Sequence, residues 1–370
     1  MRGQDGVFIK DAGRRMRFLS IGWAALAVAT AFNVAMPAVA KETPPAVIHI
    51  GGQGNPAGKP YGTAVIGVLR AKNYLEDEFK AEGVKIEWQF PRGTGPAINE
   101  AIASGQLDFA NYGGLPNIVG KGAGLPTKVL ASYGSTPNYL LVRKGSGITK
   151  LQDLKGKKVT VSRGTINELA LNTMLSQARL GLNDVQLFDL KAADQITALT
   201  SGDVDAVVGN YTLLVLPARG IGQVIYSTKG RIDPANAFGS FVVTASFAMK
   251  YPETTQRVVN AFVRAANYAS QEANREDLFK IWELTGAPRK DLSDDYDGDK
   301  LADRLSPLLD GFYVDNIKRG IVFAQEQKLI RRPIKIDEWL DASYLKKAIK
   351  DQKLEGVWTP RDAAGKAQQP

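Results

Sequence analysis

An α/β protein of two similar lobes, each built on a mainly parallel sheet, is the fold class this sequence predicts, and three observations carry the prediction. After Pro44-Pro45 strand and helix signals alternate along the chain, the pattern of helices layered on parallel strands. Setting aside the first forty residues leaves 330, more than one hydrophobic core usually spans. The segment Ala101-Ile102-Ala103-Ser104-Gly105-Gln106-Leu107-Asp108 recurs as Ala198-Leu199-Thr200-Ser201-Gly202-Asp203-Val204-Asp205, with four identical positions and two apolar matches. In both copies a helix ends on Ser-Gly, where glycine takes a left-handed cap without strain, and a strand follows.

Taken in order, Val47-Ile48-His49-Ile50 is a short apolar strand, followed by a helical stretch from Tyr61 to Lys80 and a strand over Val84-Phe90. Ile98, Ala101 and Ile102 share one face of a helix from Pro96 to Ser104, and Leu107-Asp108-Phe109-Ala110 is the next strand. Tyr139-Leu140-Leu141-Val142 then crosses into a second unit. There Val159-Thr160-Val161, a helix from Ile166 to Ala178, Val185-Phe188, a helix from Asp194 to Thr200 and Val204-Val208 repeat the scheme. Phe238 to Ala245 returns as a strand to the first unit, and helices are expected over 251–274, 276–285, 315–327 and 336–350. The expected division is a first lobe of residues 46–136 plus 237–360, a second lobe of 137–236, and a flexible tail of 361–370.

The first forty residues read as an export signal. Arg14, Arg15 and Arg17 precede an almost uncharged stretch from Phe18 to Ala40 that ends in the small-x-small run Ala38-Val39-Ala40, which places the mature start near Lys41. A membrane anchor is the competing reading, because Phe18 to Val34 approaches the length of a span, but the small-residue end favours cleavage. The chain has no cysteine, which excludes lipoprotein anchoring, disulfides and thiolate chemistry. With five basic residues against two acidic in the signal, cleavage takes the formal charge from +9 to +6. The remaining Lys and Arg are scattered among Asp and Glu without a basic stripe, so no nucleic-acid footprint is present.

Four loops carry the chemistry. Gly93-Thr94-Gly95, Gly113-Gly114-Leu115-Pro116, Arg163-Gly164-Thr165-Ile166-Asn167-Glu168 and Gly209-Asn210-Tyr211-Thr212 each follow a strand and open a helix, where backbone amides and the positive helix end attract an anion. All four lie at carboxyl ends of presumed parallel strands, the place where open α/β sheets bind ligands. Thr94, Tyr112, Asn167, Asn210 and Tyr211 are positioned to add polar or stacking contacts. Each loop also has a structural explanation, since Thr165 and Glu168 make a capping box. Arg92 and Arg163 flank two of the loops, where they either pair with a sulfonate or carboxylate or stay solvated.

Other motifs lead away from catalysis. Gly52-Gln53-Gly54 imitates a dinucleotide fingerprint, but Pro56, Gly58 and Pro60 delay the helix that a pyrophosphate needs. Ser293-Asp294-Asp295-Tyr296-Asp297-Gly298 is similar to a calcium loop, yet its first ligand would be Ser293 and its twelfth position is Arg304 in place of Glu. It reads as a solvated acidic turn. The single histidine, His49, lies within a strand and reads as packed, so neither a metal site nor histidine catalysis is expected.

These residues resemble the substrate-binding proteins of the nitrate, sulfonate and taurine class of ABC importers, from Ile48 to Asn274. The resemblance is carried by Glu82-Gly83-Val84-Lys85-Ile86-Glu87-Trp88, Ser104-Gly105-Gln106-Leu107-Asp108-Phe109, Asp153-Leu154-Lys155-Gly156-Lys157-Lys158-Val159 and Ser201-Gly202-Asp203-Val204-Asp205-Ala206. It implies a type II periplasmic binding protein, two lobes joined by a two-stranded hinge and closing on an oxyanion. It places Gln53, Gly113, Gly114, Thr165 and Asn167 at the ligand. Where sulfonate-binding members tend to have Trp-Asp after the last strand, this chain has Asn210-Tyr211, and its first loop is longer.

The resulting expectation is a monomeric periplasmic receptor, without cofactor, metal or nucleic acid. It closes on a small organic anion such as an aliphatic sulfonate and passes it to membrane permease subunits, with no chemistry on the ligand. Helix-terminus amides anchor the ligand and Asn210, Tyr211, Tyr112 and Phe241 discriminate. The alternatives are an enzyme on the same fold, like the pyrimidine-precursor synthases that depend on clustered histidines and cysteines, and a periplasmic ligand sensor.

Overall fold

The alternation of strands and helices resolves into two five-stranded sheets in a computed structural model that describes residues 42–54, 61–91 and 95–369. The expected export signal lies outside those residues. In chain order the strands are β1 (Val47–Gly52), β2 (Lys85–Gln89), β3 (Phe109–Gly113), β4 (Thr127–Thr136), β5 (Tyr139–Arg143), β6 (Lys158–Val161), β7 (Gln186–Asp189), β8 (Ala206–Gly209), β9 (Gly222–Ser227) and β10 (Ala237–Thr244). The first sheet has the order β2-β1-β3-β10-β4 and the second β7-β6-β8-β5-β9. In each, three strands run parallel, while β10 lies antiparallel to β3 and β4, and β5 antiparallel to β8 and β9. The sheets are therefore mixed. Their matching orders make the two lobes equivalent, as the internal repeat implied. Both copies end a helix at the repeat, with Gly105 at φ 72° and Gly202 at φ 85°.

Period-two alternation sorts the side chains of the first sheet between two cores. Phe109, Phe241 and Val243 join Ile48 and Ile50 beneath the Ala64–Ala71 and Pro252–Ser270 helices. Ala110, Tyr112 and Val242 point the other way, toward Leu115 and Ile118 of the Gly114–Ala123 helix and Ile317 of the Gly311–Glu326 helix. In the second sheet Leu140, Val142, Val159 and Val161 meet the Ile166–Gln177 helix, while Tyr139, Leu141 and Val207 face Leu199 and Leu213. The helix expected over 61–80 breaks at Asn73, whose φ of 52° is incompatible with a continuing right-handed helix.

The chain passes between the sheets twice, from β4 to β5 and from β9 to β10. Asn138 ties the two crossings together: its N–H donates to Thr228 Oγ1 at 2.9 Å, its Nδ2 donates to the Ala235 carbonyl at 2.8 Å, and its carbonyl accepts from the Thr228 N–H at 3.1 Å. Behind the crossings lies a buried ionic cluster. Arg304, 5% exposed, donates to Asp299 Oδ2 at 2.6 Å, to Asp295 Oδ2 at 2.8 Å and, at the end of β4, to the Ser135 carbonyl at 3.0 Å. Tyr139, the first residue of β5, donates its hydroxyl to the other oxygen of Asp295 at 2.9 Å. The Arg304 guanidinium sits 4.0 Å from the centre of the Tyr296 ring; burial pushes that phenol up to about 12, and the arginine opposes the rise. The segment expected to be a solvated acidic turn is instead the end of the helix Arg289–Tyr296, with Asp295 buried. Its partner is the arginine that breaks the calcium pattern.

Both chain ends of the described body are tied down. From Asp362 onward, where a flexible tail was expected, the chain forms a hydrogen-bonded turn closed by Asp362 N–H to the Lys366 carbonyl. Arg361 anchors it by donating to Asp303 Oδ1 at 2.8 Å and, through its backbone, to Asp310 Oδ2 at 2.9 Å. At the other end, the Glu42 carboxylate accepts from the backbone N–H groups of Glu253 and Thr254 at 2.8 and 2.9 Å, capping the Pro252–Ser270 helix, which has no side-chain cap of its own. A Glu42→Ala variant should lose about 1–2 kcal/mol of stability in urea denaturation, the usual loss for a charged helix cap. A midpoint unchanged from wild type would show that water replaces the carboxylate without cost.

Candidate functional site

The carboxyl ends of β1, β3, β6 and β8 carry the residues singled out from sequence, and the two lobes meet there. A Cβ placed on Gly113, at the end of β3, would lie 3.5 Å from both Cβ and Cγ2 of Ile166, the first residue of the second lobe's Ile166–Gln177 helix. Leu169, one turn on, joins the first lobe's core beside Leu115 and Phe238. On the other side of this edge Tyr211 packs against the first-lobe core and the Arg289–Tyr296 helix, and burial raises its phenol well above the usual range. Tight backbone turns bring the strand ends together. At Gly52 a side chain would approach the Asn111 carbonyl to 2.4 Å, and at Gly114 it would strike the Phe238 ring at 2.2 Å.

The predicted site residues fall into two groups. Gln53, exposed at the end of β1, and Asn167, half-buried in the first turn of its helix, have side-chain amides without a partner among the described residues. Gln53 is held through its backbone, whose N–H donates to the Asn111 carbonyl at 3.1 Å. Arg163 belongs with them, because its Nη groups have no partner among the described residues. These side chains can reach a ligand without first breaking an internal bond. Thr94 and Arg92 lie outside the described residues.

The second group is already engaged. Thr165 Oγ1 donates to the Ser162 carbonyl at 2.7 Å and accepts from the Asn167 N–H at 3.3 Å. Asn210 Oδ1 accepts from both the N–H and the hydroxyl of Thr212, at 3.1 and 2.8 Å, capping the turn that carries Tyr211. Glu168 does not close the expected capping box on Thr165: its carboxylate takes the Gly164 N–H at 2.8 Å and Arg163 Nε at 2.9 Å. Two residues expected to discriminate among ligands are buried. Tyr112 is 1% exposed, with its hydroxyl donating to Asn99 Oδ1 at 2.8 Å, and Phe241 is fully buried, stacked on Phe262 at 4.3 Å between ring centres. Both belong to the cores of the first lobe.

The structure adds Asn111, a polar residue in the otherwise apolar β3. It is 6% exposed, and its Oδ1 has no hydrogen-bond partner among the described residues. His49, expected to be packed, is half-buried between two carboxylates, with Nδ1 3.0 Å from Asp108 and Nε2 3.5 Å from Glu87. Among the described residues no group of three or more His, Cys, Asp or Glu side chains could hold a metal ion, and no helix is long and apolar enough to cross a membrane. A cavity of about 60 Å³ near the crossings, lined among others by Ser135, Asn236, Phe238, Asp310 and Arg361, has none of the sequence-predicted residues in its lining.

Comparison with known proteins places this geometry. A family described as NMT1/THI5 like matches residues 66–275. A protein of Bacillus subtilis (strain 168), named for binding aliphatic sulfonates, is 27% identical over 293 residues, covering 78% of this chain and 86% of its own. The crystal structure of a periplasmic sulfonate-binding protein, SsuA, from Methylobacillus flagellatus KT superposes with a TM-score of 0.78 at 29% identity, over 86% of this chain and 98% of that one. The enzyme DszB in complex with biphenyl-2-sulfinic acid shares the fold, with a TM-score of 0.65 at 18% identity over 82% and 99% of the two chains.

Proposed function

The chain belongs to the NMT1/THI5-like family, and from that premise we propose that it is the exported solute-binding receptor of an ABC importer, closing its two lobes in the periplasm on a small organic anion such as an aliphatic sulfonate. The observation that carries this reading is the meeting of the two lobes at their strand ends, Gly113 against Ile166, with the side-chain amides of Gln53 and Asn167 and the Nη groups of Arg163 left without a partner among the described residues. Equivalent strand ends facing each other form a site that is complete only when the lobes are together, so ligand binding favours the closed arrangement. The closed lobes then present one joined surface to the permease. The likeness to sulfonate-binding proteins supports the ligand class.

The receptor reading requires no chemistry on the ligand. The chain has no cysteine, and its only histidine is held between Glu87 and Asp108 within the body of β1. Calorimetry and thermal denaturation of residues 41–370 with ethanesulfonate, taurine, nitrate and propionate test the reading. A saturable rise in melting temperature with an alkanesulfonate is expected, equivalent to about 2.7 kcal/mol when the ligand is present at about a hundred times its Kd. No heat and no shift with any of the four would sink it. Turnover of a sulfonate or sulfinate would put an enzyme in its place.

A further inference from the structure

Resting on the reading that the cleft takes an anion, we infer that Arg163 is the side chain that meets the ligand's charge, and that Glu168 is the positioning residue that aims it. The donors expected to hold an anion at the start of the Ile166–Gln177 helix are largely consumed within the protein. Glu168 takes the Gly164 N–H, Thr165 Oγ1 takes the Asn167 N–H, and Asp189 Oδ1 takes the Arg163 N–H at 3.0 Å. In the neighbouring loop of the same lobe, the N–H and hydroxyl of Thr212 are spent on Asn210 Oδ1. Four of the backbone amides at these two loops are therefore already committed to internal acceptors. The guanidinium at the same strand end keeps donors in reserve.

Its geometry is that of a held receptor group. Glu168 is 2% exposed, so its carboxylate has given up water and relies on its protein partners, Arg163 Nε at 2.9 Å and the Gly164 N–H. That bond fixes one edge of the planar guanidinium, while the arginine side chain remains 51% exposed. The Nη groups are left without a partner among the described residues, two donors side by side in the arrangement that matches two oxygens of a sulfonate or carboxylate. Ile166, three residues on, packs against the opposite lobe at Gly113, so the loop that carries Arg163 begins at the lobe boundary.

The test is calorimetry with ethanesulfonate on wild type, Arg163→Lys, Glu168→Asp and the double variant Arg163→Ala with Glu168→Gln. Lysine can still pair with Glu168 but presents no second edge, so affinity should fall by about tenfold or more while the melting temperature of the free protein stays close to wild type. Glu168→Asp keeps the charge and shortens the reach by one methylene, and should weaken binding by about threefold without altering its salt dependence. The double variant removes both charges, leaving no unpaired buried carboxylate to unfold the lobe, and should bind at least as weakly as Arg163→Lys. Affinities of Arg163→Lys and the double variant that stay within about twofold of wild type would overturn the assignment while leaving the receptor reading intact. A wild-type protein that binds none of the anions overturns both.

Discussion

Arg304→Met should destabilise the protein by about 3–5 kcal/mol, measured as a shift in the urea midpoint, because it removes the guanidinium paired with two buried carboxylates and leaves them behind. Asp295 and Asp299 are almost fully buried, and Arg304 is the basic group bonded to each, at 2.8 and 2.6 Å. The pair itself need not add net stability, since desolvating three charged groups costs about as much as their attraction returns. A triple variant that also replaces both aspartates with apolar residues should therefore recover much of the loss. Failure of Arg304→Met to move the midpoint would mean that water or protons reach the carboxylates freely.

The cluster also bears on the hinge. Arg304 donates to the Ser135 carbonyl at the end of β4, and Tyr139 at the start of β5 donates to Asp295, so the same few side chains brace the first crossing from both lobes. Backbone packing reinforces the contact. Gly134 has a φ of 96°, and a Cβ there would approach the Arg304 carbonyl to 2.1 Å, so only glycine fits. Disruption of the cluster should loosen the angle between the lobes as well as lower stability.

Much of the fold was legible because it depends on local pattern. Apolar runs such as Val47-Ile50 and Val159-Val161, and the paired Ser-Gly helix ends, identify the same elements in sequence and structure. β4 was not apparent, because Lys128, Ser132 and Ser135 interrupt its apolar residues and Gly134 reads as a turn; only its pairing with β10 makes it a strand. The Ser293–Gly298 acidic run misled for a different reason. A twelve-residue calcium template treats Arg304 as a failed ligand, whereas folding makes it the counter-ion of Asp295 and Asp299. Long-range pairing of this kind leaves no spacing signature.

The site was legible to the level of loops and not of atoms. Glycines at strand ends identify where the two lobes meet, because the backbone must come close there. Which donors remain free depends on internal competition: Glu168, which reads as an ordinary capping residue, turns out to claim Gly164 and Arg163 together. Tyr112 illustrates the opposite case. An aromatic beside a glycine loop looks ligand-facing, but strand alternation sends its ring into the core beside Leu115 and its hydroxyl to Asn99.

Phe241→Ala separates core from cleft most sharply. If Phe241 discriminated among ligands, its truncation would change affinity in a stable protein. Its burial predicts instead a loss of about 3–5 kcal/mol in stability, the cost of removing a fully buried aromatic and leaving a cavity. The ring is stacked on Phe262 at 4.3 Å and lies 5.8 Å from Phe109, so the cavity would open between the first sheet and the Pro252–Ser270 helix. Phe241→Leu, which keeps most of the volume, should fold with a smaller loss and bind ethanesulfonate with wild-type affinity. The comparison is decisive because the two roles predict opposite outcomes for the leucine variant. Weakened binding at near-native stability would return Phe241 to the ligand, whereas a lowered urea midpoint with unchanged Kd assigns it to the sheet that holds β3 and its glycine turn in place.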